Sequence, residues 1–110
     1  MQLQRVVLNL AINAMDAVQA SEASGRGQEV VVGTSAGAGS VELFVRDTGP
    51  GLSPEMQQRV FEPFYSTKSH GLGMGLAIVR SIVERHGGRV RAENDDGRGA
   101  VFRVQLPVGG

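Results

Sequence analysis

The 110 residues contain no cysteine. Disulfides, thiol nucleophiles and thiolate metal sites are therefore excluded, and the chain suits a reducing, cytoplasmic setting. There is no tryptophan and only one tyrosine. An excess of one charge is missing too: eleven Lys and Arg balance eleven Asp and Glu, for a formal net charge of zero. Without a basic surplus there is no general electrostatic reason to expect nucleic acid or an anionic membrane as a partner. No apolar run approaches the ~20 residues that a bilayer-spanning helix needs. No charged-then-apolar leader opens the chain, and direct membrane insertion is not expected. Lysine is almost absent, Lys68 being the one example.

What the chain does have is glycine, 16 residues of 110, about twice the usual share. Much of it lies in turns and in one cluster, Gly71, Gly73 and Gly75. At this length a single domain is expected, covering residues 1–110. Leu3, Val6, Val7, Leu10, Ala11, Ala14 and Val18 recur at steps of three and four, which predicts an amphipathic helix over residues 2–20. Runs at 30–34 and 41–46 read as antiparallel strands, joined by a flexible Ala/Gly/Ser link at 35–40. Ser53 followed by Pro54 is a helix start, cap and then first position, leading into a short helix to about residue 60. A second apolar-faced helix is expected at 74–86, stopped by Gly87 and Gly88. Residues 89–94 and 100–106 read as two further strands around a turn. The fold class is α+β, with helices on one face of a mainly antiparallel sheet.

Three clusters carry chemistry. Asn9 and Asn13 share a helix face, because a spacing of four returns to the same side, and Asp16 follows one turn on. Asn forms helices poorly, so two on one face invite explanation; a carboxamide oxygen is a hard, neutral ligand suited to Mg²⁺ that already carries phosphate. The plain alternative is two solvated polar residues. Asp47, Gly49 and Gly51 close a strand; a carboxylate there can accept a purine amino proton, and glycines let a flat base approach the backbone. The same residues also suit an ordinary turn. Gly71, Leu72, Gly73, Met74, Gly75 and Leu76 lead into the second long helix, where free N–H groups and the positive dipole end bind phosphate. Lys68 can reach the same anion, and a hinge is the plain alternative. Phe61 and Phe64, between the second and third clusters, are expected to anchor a loop to the core.

Taken in order, these features resemble the catalytic domain of sensor histidine kinases, within the wider superfamily of gyrase, heat-shock chaperone, histidine kinase and mismatch-repair ATPases. Residues 9–17 look like its N box, 47–51 its first glycine box, 61–64 its F box, 71–75 its second glycine box and 97–99 its terminal glycine turn. The resemblance runs from residue 2 to about 107. It implies a Bergerat-type ATP-binding fold, a two-layer sandwich on a mixed sheet, with ATP and Mg²⁺ as ligands. Asn13 would coordinate the metal, Asn9 would support phosphates or the metal's waters, and Asp47 would take the adenine amino group. The segment before Gly71 looks like a short lid, mobile without nucleotide.

The pattern also has departures. Family members usually carry a further strand before the N box, so an N-terminally truncated domain with a missing sheet edge is expected. Ala100 stands where threonine is common. No phosphoacceptor motif is present: His70 falls in the lid, and His86 ends a helix where an imidazole suits the dipole. The implied partners are a histidine-containing dimerisation domain and then a response regulator, with this piece monomeric. Hydrolytic superfamily members place a glutamate at the position of Asn9, and an amide is no useful base near neutral pH. A chaperone- or gyrase-like ATPase and a non-catalytic nucleotide-binding module remain the alternatives.

Overall fold

A computed structural model describes residues 3–20, 29–49, 51–62, 75–94 and 99–107. Its elements are α1 (Leu3–Ala20), β1 (Val30–Gly37), β2 (Ser40–Asp47), α2 (Pro54–Arg59), α3 (Gly75–Arg85), β3 (Arg89–Asn94) and β4 (Ala100–Pro107). The strands form one sheet in the order β1-β2-β4-β3. All three pairings are antiparallel, so no parallel pair occurs among the described residues.

The alternation of strand side chains decides which face holds the core. The register sets Val45 of β2 beside Phe102 of β4, and Phe102 beside Ala92 of β3. These residues face the helices. Val6, Leu10 and Ala14 of α1 and Val79, Ile82 and Val83 of α3 are buried with Val45, Phe102 and Val104 in one cluster. Helix α1 packs on β1, β2 and α3, while α3 lies over β3. Burial at positions 6, 10, 14 and 18 is the four-residue recurrence of one helical face. None of the described helices is long and apolar enough to cross a membrane.

The opposite face of the sheet carries Phe44 and the buried Val101 together with a charged cluster. There Arg103 donates from Nε to Glu93 Oε1 at 2.8 Å and from Nη1 to Glu42 Oε1 at 3.1 Å. Glu93 and then Glu42 hold the guanidinium above its ordinary pKa. This ladder of opposite charges joins β2, β4 and β3 across their pairing.

Two local expectations change. The segment 35–40 is not a loose link: the ladder continues through Ser35↔Glu42 and Ala36↔Val41, leaving a two-residue turn in which Gly39 takes φ +76. Backbone hydrogen bonds do not require apolar side chains, so small polar residues extend the hairpin that hydrophobic patterning ended early. Strand β4 likewise runs on to Pro107, which sits opposite Ser40.

The helix ends follow their chemistry. Ser53 Oγ accepts the N–H of Met56 at 3.2 Å, with Pro54 at the start of α2. At the end of α3, Gly87 takes φ +77, its N–H donates to Glu84 O, and the N–H of Gly88 donates to Val83 O. That is the Schellman closure, which a residue with a Cβ adopts only at a cost. His86 Nδ1 lies 2.8 Å from Ile82 O and so serves the helix end.

Candidate functional site

The site begins with one stripe of α1. Asn9, Asn13 and Ala17 succeed one another at four-residue steps and lie on one side of the helix, spanning about 12 Å of its axis. At one end, Asn9 Nδ2 donates to the carbonyl of Gly75, the first residue of α3, at 3.4 Å. At the other end, α1 touches the loop after β2. A Cβ built on Gly49 would stand 2.8 Å from Ala17 O and 2.9 Å from the Ala17 Cβ. Glycine is needed at 49 because helix backbone occupies that space. Asn13 is half-buried and lies midway between these contacts.

Asp47 ends β2 and is only 2% exposed. Its Oδ1 accepts the N–H of Gly49 at 2.8 Å and that of Ala100 at 3.4 Å. A carboxylate this buried is costly unless hydrogen-bonded, and the backbone of two different segments supplies the bonds. The residue after it is pinned as well: Thr48 donates its N–H to Glu29 O at 3.1 Å, and Thr48 Oγ1 accepts the N–H of Glu29 at 2.9 Å. Gly99, at φ +72, brings its Cα against the Asp47 carbonyl, where a Cβ would collide with backbone. Ala100 carries no hydroxyl, but its N–H still reaches the carboxylate.

Gly51 adopts φ +82. A Cβ there would stand 2.9 Å from Asn94 Oδ1 and 3.3 Å from Gly99 O. Asn94, the last residue of β3, donates from Nδ2 to Leu52 O at 2.9 Å and accepts the N–H of Leu52 at Oδ1, at 2.7 Å. Phe61 packs edge-to-face on Phe102, with ring centroids 6.0 Å apart and planes at 86°. It is thus fixed to the core, as its spacing suggested.

Through Ala17, α1 meets Gly49, which is bonded to Asp47, and through Asn9 it meets Gly75, while Gly51 lies against Asn94 and Gly99. Asp16 is half-buried on the turn between Asn13 and Ala17. Gly75 is exposed, and among the described residues nothing lies within 4 Å of where its Cβ would stand. The side chain of Leu76 packs against the core. Lys68, Gly71, Leu72, Gly73 and Met74, with the short lid and Phe64, lie outside the described residues. Sequence reasoning missed Ala17 and Asn94. Ala17 falls in the helical pattern as one more small residue, and Asn94 reads as the last residue of a strand.

Two helices on one face of an antiparallel sheet, with a boxed-in carboxylate at the end of β2, define an α+β domain. Over residues 1–110 the chain matches the family described as histidine kinase-, DNA gyrase B-, and HSP90-like ATPase. It belongs to that family. It is 43% identical to the sensor histidine kinase ZraS of Klebsiella oxytoca over 112 residues, covering 99% of this chain and 22% of that protein. The chain thus spans about a fifth of the length of the curated relatives it matches. Among solved structures, a nucleotide-free catalytic domain of histidine kinase ThkA superposes with a TM-score of 0.82 at 32% identity, covering 96% of this chain and 66% of that one. Full-length ShkA in complex with AMPPNP gives 0.80 at 34% identity, covering 96% of this chain and 21% of that one.

Proposed function

We propose that this chain binds Mg-ATP and donates the γ-phosphoryl group to a histidine on a separate dimerisation domain, for onward transfer to a response regulator. Family membership and the sensor-kinase relatives support that reading. Its central observation is the stripe of α1 that links the start of α3 to the loop after Asp47, with Asn13 between them. A triphosphate nucleotide needs recognition at two separated ends, and one rigid helix holds both at a fixed distance.

In this reading Asp47 accepts the adenine amino proton. Its position is fixed before the ligand arrives by the N–H groups of Gly49 and Ala100, which limits the ordering cost of binding. The start of α3 offers N–H groups to phosphate oxygens, and Asn9 ties that start to α1. Asn13, half-buried on that stripe of α1, carries a carboxamide oxygen of the hard kind that Mg²⁺ takes beside phosphates and waters. When bound, the ion neutralises charge on the phosphates. A ring nitrogen of the acceptor histidine attacks the γ-phosphorus, the bond to the β–γ bridging oxygen breaks, and ADP leaves. The chain contributes positioning and charge complementarity, the usual sources of phosphoryl-transfer catalysis.

Hydrolysis by this chain alone is disfavoured, because the amide of Asn9 already donates to the Gly75 carbonyl and is no base for water. The test has two parts. Calorimetric titration with ADP and ATP should show binding that Mg²⁺ strengthens. Mixing with the cognate histidine domain and labelled ATP should then yield phosphohistidine. Absence of adenine-nucleotide binding refutes the assignment, and binding without transfer reduces the chain to a nucleotide-binding module. Steady ATP turnover that disappears in Asn9→Ala would instead make it an ATPase.

A further inference from the structure

Asn94 touches the loop that follows Asp47 from the far end of the sheet. It closes β3, an edge strand, opposite Ala100, yet its carboxamide leaves the ladder and engages a residue 42 positions away. Both backbone groups of Leu52 are taken by this one side chain, the N–H at 2.7 Å and the carbonyl at 2.9 Å. A carboxamide presents donor and acceptor side by side, as a peptide does, so it can replace a strand partner for a single residue. A carboxylate matches only the N–H and sets negative charge against the carbonyl. The contact also explains Gly51, whose missing Cβ leaves room for Asn94 Oδ1. Leu52 in turn packs its side chain against the core, so the clamp fixes the loop between the buried Asp47 and the cap of α2.

We infer that Asn94 is a positioning residue for base recognition: by holding Gly51 and Leu52 it keeps the loop beside Asp47 in its binding shape without touching nucleotide. This rests on reading the 47–51 loop as the base site. Without the clamp, at least one residue of that loop must be ordered by the ligand, at a cost that weakens binding about tenfold.

The test uses the full 110-residue chain with Asn94→Ala, Asn94→Asp and Asp47→Asn, each titrated with ADP and GDP at a temperature where circular dichroism shows it folded. Asn94→Ala should bind ADP about tenfold more weakly, and its preference for ADP over GDP should shrink. The effect of Mg²⁺ should stay as in the parent. Asn94→Asp, which keeps the bond from the Leu52 N–H but sets charge against the Leu52 carbonyl, should also bind ADP more weakly than the parent and serves alone if the alanine variant does not fold. Parent-like ADP affinity and selectivity in the Asn94 variants, beside a weakened Asp47→Asn, overturns the role of Asn94 alone. No loss in Asp47→Asn overturns the base-site reading, and the inference with it.

Discussion

Replacing Asp47 by Asn removes a charge and almost no volume, so it separates recognition from packing. In the folded chain Oδ1 accepts one short hydrogen bond, from Gly49 at 2.8 Å, and one long one, from Ala100 at 3.4 Å. An amide oxygen can accept both, but without charge assistance. A bond to a charged acceptor is worth about 1.5–3 kcal/mol against about 0.5–1.5 for a neutral one, so the short bond weakens by roughly 1 kcal/mol. Against that, a neutral amide is cheaper to bury than a carboxylate at a residue 2% exposed. The two effects oppose, and the melting temperature should move by no more than a few degrees. Binding has no such compensation. On the proposed assignment the amide oxygen stays with the two backbone N–H groups and its NH2 replaces Oδ2, so the adenine amino group meets a donor instead of a charged acceptor. Losing that bond, about 1.5–3 kcal/mol, corresponds to roughly 10- to 150-fold weaker ADP binding. Differential scanning calorimetry and isothermal titration on the same samples read both quantities. ADP affinity within threefold of the parent, in a folded variant, would refute the assignment of Asp47 to the base.

Asn13→Ala should abolish the strengthening of ATP binding by Mg²⁺ while leaving metal-free ADP binding within about threefold, as titration with and without EDTA will show; retained magnesium dependence places the metal elsewhere. Gly99→Ala puts a Cβ against the Asp47 carbonyl at φ +72. Left-handed strain of about 1–2 kcal/mol with overpacking of about 1–3 kcal/mol should lower stability in urea and displace the Asp47 loop, so ADP binding falls as well; a parent-like midpoint contradicts this close approach. Phe102→Ala removes the largest fully buried side chain among the described residues and the edge-to-face partner of Phe61. It should cost about 3–5 kcal/mol, measured by denaturant unfolding, and a loss below about 1.5 kcal/mol would mean that the core is packed otherwise.

The helices were legible because their information is local. Burial at positions 6, 10, 14 and 18 of α1 was already written in the spacing of apolar residues, and Ser53-Pro54 and Gly87-Gly88 announced their helix ends through caps. The hairpin of β1 and β2 was under-read, since Ser35 and Ala36 pair through backbone groups that side-chain patterning does not report. The amide pair and the Asp47 loop could be picked out along the chain, but each alone served equally well as solvated helix or turn.

Sequence by itself determined the element types, the caps, the balanced charge and the candidate residues, because these depend on neighbours a few positions apart. Only the tertiary structure decided that Gly49 must be glycine for Ala17, Gly99 for Asp47, and Gly51 for Asn94. Each glycine looked like freedom for a turn, or room for a ligand, until the fold put another backbone or side chain in the space its Cβ would fill. The placement of Asn13 between Gly75 and Gly49 is of the same kind. A helix fixes the spacing along its own axis, but which distant segments dock at its two ends depends on how α1 and α3 bury their apolar faces together on the sheet.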